Sequence, residues 1–209
     1  MKAHTRETQA TMTPEKSLQY LKEGNQRFQD NLKAHRNLLE QVNDTSSGQF
    51  PFATILSCID SRVSAELVFD QGLGDVFSIR IAGNFVNQDI LGSMEFGCKL
   101  AGTKLIVVLG HTSCGAIKGA CDNARLGNLT AMLNKIKPAV NAISEPKDPS
   151  LRNSSNLEFV DNVAAKNVAL TIERIRHESE VLSTMEENGE IMIVGAMYNI
   201  NDGGVTFLN

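Results

Sequence analysis

The run Leu105-Ile106-Val107-Val108-Leu109 is apolar at every position. A half-buried strand would alternate, and a five-residue helix would be too short to stand. An unbroken run of this length reads as a strand covered on both faces, the kind found at the centre of a parallel sheet. Residues 52–57, 76–81 and 191–197 are also expected as strands, and residues 205–208 as an edge strand. Between these runs the apolar period lengthens to that of a helix. Leu157, Val160, Ala164, Val168, Thr171 and Ile175 trace one face of a long helix. Residues 89–100 place Ile90, Met94 and Cys98 on another, residues 116–123 form a third, and residues 129–143 a helix broken at Pro138. Thr13-Pro14 opens a further one, with Thr13 as cap and Leu18, Leu21, Asn25, Phe28 and Leu32 along its face. Gly24 weakens that helix in its middle.

Strands alternating with helices predict an α/β fold: a mainly parallel central β-sheet flanked by helices, with an N-terminal helical arm. No composition shift marks a boundary. Residues 13–209 are therefore expected to form a single α/β domain, and residues 1–12, polar and unpatterned, a flexible N-terminal arm.

Bulk composition excludes several functions. With 42% hydrophobic and 21% charged residues in 209, a core can be buried without disulfides. A formal net charge of -4 gives no basic footprint for nucleic acid or anionic lipid. The apolar runs are far too short to cross a membrane. The first residues carry no apolar leader, so a cytoplasmic location is expected; a processed N-terminus would look the same, which leaves the periplasm open.

The four cysteines, Cys58, Cys98, Cys114 and Cys121, are too few for a disulfide scaffold in a chain of this length. They are left as buried thiols, metal ligands or a nucleophile. Cys98 and Cys121 fall on helical segments and read as buried thiols. Cys58 begins Cys58-Ile59-Asp60-Ser61-Arg62, directly after the first strand, and His111-Thr112-Ser113-Cys114-Gly115 directly follows the central one. Both segments leave the sheet at its carboxyl rim, where open α/β sheets bind ligands. If the two strands are neighbours, two thiols and an imidazole converge. That donor set suits zinc and leaves a fourth position open, as in catalytic sites. Structural thiols beside an unrelated histidine are the competing reading at this stage.

The paired motifs resemble the zinc-site signature of the β-class carbonic anhydrases. The stretch Gln71-Gly72-Leu73-Gly74-Asp75-Val76-Phe77 through Arg80 and the run from Leu105 to Cys114 are also similar to that family, and the likeness spans most of the chain. The resemblance implies reversible hydration of CO2 to bicarbonate and a proton by zinc-bound hydroxide, with one zinc ion per subunit. It implies Cys58, His111 and Cys114 as zinc ligands and Asp60 and Arg62 as the catalytic dyad, Asp60 becoming a fourth ligand only in a closed state. It further implies Gln49, Phe77, Ala82, Phe96 and Gly115 as substrate-binding positions, with Gln49, Phe77 and Ala82 contributed across a subunit interface. Phe96 stands where some plant-like members have tyrosine, which removes a hydroxyl. Ile55 stands where members with an allosteric bicarbonate pocket have tryptophan, which argues against that regulation. The implied partners are CO2 or bicarbonate and a second copy of the chain, in a homodimer or a dimer of dimers (a homotetramer). Hydrolysis of CS2 or COS on the same scaffold, and a non-catalytic zinc- or bicarbonate-sensing module, are the alternatives. The module would lack Asp60 or Arg62, and both are present.

Overall fold

The computed structural model describes residues 2–208. A short helix α1 (Arg6–Ala10) and a longer α2 (Pro14–Gln29) lead to α3 (Leu38–Thr45). The alternating part then runs β1 (Ala53–Ser57), α4 (Ala65–Val68), β2 (Val76–Arg80), α5 (Gln88–Glu95), a wider π turn over Phe96–Leu100, and β3 (Leu105–His111). It continues through α6 (Gly115–Cys121), α7 (Gly127–Asn134), α8 (Lys137–Ala142), α9 (Leu157–Glu178) and α10 (Glu180–Glu187) to β4 (Met192–Tyr198) and β5 (Val205–Leu208).

The five strands stand in the order β2-β1-β3-β4-β5. The first four are parallel, and β5 closes one edge antiparallel to β4. The unbroken apolar run is explained by this position. Leu105, Val107 and Leu109 face a layer with Leu21, Phe52, Ile55 and Phe69, while Ile106 and Val108 face one with Leu56, Met94, Ile175 and Leu182. With both faces covered, none of the five residues 105–109 faces water. Each such side chain contributes roughly 1.5–3 kcal/mol by burial. Pro138 sits in the first turn of α8 and separates it from α7, the break expected there.

The N-terminal segment departs from expectation. Residues 1–12 were expected as a flexible arm, but α1 is closed by a capping box between Thr5 and Thr8. The Gln9 side-chain amide donates to Pro51 O at 2.7 Å and Ala101 O at 2.9 Å, and Met12 is buried in the main core. These contacts join residues far apart in the chain, so no local pattern announces them. Leu32, placed by periodicity on the face of α2, lies past its end at Gln29 and is exposed.

Gly24 also has a different meaning from the one its helix propensity suggests. A Cβ there would lie 1.8 Å from Phe69 O. The glycine lets α2 press directly on the chain after α4. Gly24→Ala is therefore expected to destabilise by at least the ~1–3 kcal/mol of core overpacking, although alanine favours helix. Urea denaturation measures this; an unchanged or raised midpoint would refute the close approach.

Candidate metal centre

The register brings the two motif-bearing rims together, because Ser57 of β1 lies beside Leu109 of β3. Cys58 leaves the end of β1, His111 ends β3, and Cys114 sits at the N-cap of α6. All three are buried, and their ligand atoms lie within 4.8 Å of one another.

The spacing fits zinc. A zinc ion sits about 2.3 Å from each thiolate, and the tetrahedral angle then sets two sulfurs about 3.8 Å apart. Cys58 Sγ and Cys114 Sγ are 3.9 Å apart. His111 Nδ1 lies 3.0 Å from Thr112 O and donates to it, which fixes the tautomer and leaves Nε2 as the free lone pair. Nε2 is buried without a hydrogen-bond partner. An orphaned buried acceptor is costly unless something else uses it. The thiols point the same way. Hydrogen bonding from Cys114 lowers the Cys58 pKa against the effect of burial, helped by the backbone N–H of Gly83, 3.4 Å from the sulfur. The same contact with Cys58, followed by burial, raises Cys114. A bound cation would draw both sulfurs into the thiolate form.

Asp60 stands beside this cluster. Its Oδ1 accepts from Arg62 Nε at 2.9 Å and from the Arg62 backbone N–H at 3.0 Å, and its Oδ2 accepts from Arg62 Nη2 at 2.7 Å. The guanidinium fork holds the carboxyl well below the usual range against the opposing effect of burial, with smaller help from the Arg62 backbone and His111. Oδ2 lies 4.0 Å from His111 Nε2. An ionised acceptor thus stands next to the three donors.

Two residues to which the sequence reading gave no role support this segment. Arg80 Nε donates to Cys58 O at 3.0 Å, and its Nη2 donates to Asp60 O at 2.7 Å. The register partner of Ser57 is Arg80, so a cation at the end of a short strand was the signal available. Gly83 takes φ 82, and a Cβ there would lie 2.5 Å from Ile136 Cδ1. Glycine is what lets its N–H reach Cys58.

The expected substrate positions divide into two groups. Ala82 and Gly115 line a cavity of about 280 Å³ with Cys58, Asp60, Leu129 and Met132. Ala82 thus lies beside its own chain's cluster, not across an interface as expected. A Cβ on Gly115 would meet nothing within 4 Å, so its backbone faces open space. Phe77 and Phe96 meet each other, with ring centroids 6.2 Å apart, along a separate groove between β2 and α5. Gln49 is exposed just before β1. Within one chain these last three do not line the cavity at the cluster.

Comparison with known proteins agrees with this geometry. The family profile described as carbonic anhydrase matches residues 53–205, from the start of β1 into β5. Carbonic anhydrase 2 of Mycobacterium tuberculosis is 35% identical over 189 residues, covering 88% of this chain and 87% of the relative. The solved structure of the β-carbonic anhydrase CcaA superposes with a TM-score of 0.68 at 26% identity, over 92% of this chain and 95% of that one. One of two tetrameric β-carbonic anhydrases from Sordaria macrospora shares the fold with a TM-score of 0.70 at 23% identity, over 93% and 98%. The protein is an enzyme of the carbonic anhydrase class. Within that class the chain belongs to the β-carbonic anhydrase family.

Proposed function

We propose that this enzyme interconverts CO2 and bicarbonate with one zinc ion per subunit, held by Cys58, His111 and Cys114. The observation that carries the reading is the orphaned His111 Nε2 facing two sulfurs 3.9 Å apart. Zinc there would supply a Lewis acid that makes water nucleophilic near neutral pH. Two thiolates balance its formal charge, so acidification is weaker than with three histidines and the surrounding residues matter more. Asp60, acceptor-only when ionised, takes a hydrogen bond from the attacking water and turns a lone pair toward CO2. Arg62 keeps Asp60 charged and holds both its oxygens. That pairing supports the arrangement in which the fourth position stays open to water, with Asp60 entering it only in a closed state. Ala82, Gly115 and the apolar side chains of Leu129 and Met132 form a space suited to a small apolar substrate.

Gln49, Phe77 and Phe96 fit a contribution to the site of a second copy. The groove at Phe77 and Phe96 is open, and α3 turns Leu38, Leu39 and Val42 outward at 56%, 78% and 49% exposure. These surfaces support a homodimer or a dimer of dimers. Sedimentation velocity is expected to show at least a dimer; a fully active monomer would remove those three residues from the mechanism.

Stopped-flow CO2 hydration with zinc quantification tests the whole reading. The expected result is about one zinc per chain and activity that is lost on chelation and restored by zinc. An active zinc-free chain would refute it. Arg62→Ala is expected to keep its zinc and lose about 10–100-fold in rate, the range typical of supporting residues around a metal.

A further inference from the structure

The connection from His111 to Cys114 carries two of the three donors, and its shape is set from outside. Ser113 lies at φ 54, in the left-handed region that strains a residue with a side chain. Its backbone N–H donates to Asp161 Oδ1 at 2.8 Å, across 48 positions of sequence. A carboxylate acceptor strengthens such a bond. Asp161 belongs to the early turns of α9, whose Phe159, Val160, Val163 and Ala164 pack in the same apolar cluster as Cys58 and Cys114. The preceding residue is pinned to a different element. The N–H of Thr112 donates to Tyr198 O at 3.0 Å, and its Oγ1 accepts from Ile200 N–H at 3.1 Å. Consecutive residues between two donors are thus tied to α9 on one side and to the end of β4 on the other.

We propose that Asp161 is a positioning residue of the metal centre. By holding Ser113 in the left-handed conformation it aims the Cys114 sulfur at Cys58 and His111. It acts through Ser113 and touches neither the ion nor the substrate. The proposal rests on the reading of the cluster as a zinc site. A role in helix stability does not account for the contact. The cap of α9 is Asn156, which accepts from Phe159 N–H, and alanine at position 161 would favour helix.

The test uses the zinc-loaded enzyme and follows the rate at which zinc passes to an excess of chromogenic chelator. Asp161→Ala is expected to release zinc about 10–100-fold faster than wild type. Asp161→Asn keeps an oxygen acceptor and is expected to stay near the wild-type rate. Adding Ser113→Gly to Asp161→Ala is expected to restore slow release, because glycine adopts the left-handed conformation without strain. Wild-type release from Asp161→Ala would overturn the proposal. So would fast release that neither Asp161→Asn nor the added Ser113→Gly corrects, since lost packing and not turn geometry would then be the cause. A wild-type chain that binds no zinc would overturn the metal reading and this proposal together. A zinc-loaded wild type with an indifferent Asp161 would overturn this proposal alone.

Discussion

His111→Ala is expected to give a folded chain that holds almost no zinc and hydrates CO2 at the uncatalysed rate. The imidazole is fully buried, and its Nδ1 is committed to Thr112 O, so only Nε2 is available to a metal. Its removal leaves two sulfurs and no nitrogen donor. Loss of a ligand must exceed the about 10–100-fold cost of losing a supporting residue, so affinity should fall by more than about 100-fold. The cavity left behind destabilises the chain as well. The fold should survive, because β3 is held by its five apolar residues in two separate layers. Zinc content by emission spectroscopy, stopped-flow rate and circular dichroism on one preparation separate the effects. Full zinc with full activity would remove His111 from the site; an unfolded chain would shift the question to Cys58→Ala, for which the same zinc loss is expected.

Asp70→Asn is expected to be the largest single loss of stability away from the metal, on the order of 3–5 kcal/mol. Asp70 is almost wholly buried after α4. Its Oδ2 accepts from Arg27 Nε at 2.6 Å and from Ala34 N–H at 3.0 Å, and its Oδ1 accepts from Arg36 Nη1. The Arg36 side chain is only 7% exposed, so removing the carboxylate takes a counter-charge away from a buried cation. Asparagine tolerates the φ of 46 at this position, which isolates charge from backbone strain. The effect has a pH signature. Burial pushes the Asp70 carboxyl up, but Arg27, the Ala34 N–H and Arg36 outweigh it, and the pKa lies below the ordinary value. The ion pairs therefore contribute fully above the ordinary carboxylate pKa of about 3.9, and the contribution is lost as pH falls through the lowered value. The gap between wild type and Asp70→Asn should be widest near neutrality and should close in acid. Urea midpoints across that range measure it, and a gap independent of pH would refute the ionic account.

The legible parts of this protein were those whose cause is local. β3 could be read because its first five residues, covered on both faces, form an unbroken apolar run. The break at Pro138 and the cap at Thr13 could be read because each acts within one turn of chain. α3 could not. Its buried residue is Gln41, whose Oε1 accepts from Leu73 N–H at 3.2 Å, while Leu38, Leu39 and Val42 face outward. A helix that buries its polar side and exposes its apolar side gives a misleading pattern in a single chain. By sequence alone, the acidic run Glu178, Glu180, Glu186 and Glu187 is most simply a solvated helix face. Ser179 instead ends α9 and caps α10, and Glu186 turns back to Arg176 at 2.7 Å.

The same division runs through the site. The sequence by itself set Cys58, His111 and Cys114 at or close after strand ends, and it set Asp60 and Arg62 two residues apart. Only the tertiary structure decided that β1 and β3 are neighbours and that the two sulfurs stand at a tetrahedral spacing. It alone showed Arg80 gripping the carbonyls of Cys58 and Asp60, and Asp161 reaching Ser113 from 48 residues away. Those contacts end on backbone groups, which every residue carries alike. A side chain that binds backbone leaves no matching partner in the sequence, so its role becomes visible only when the chain is folded.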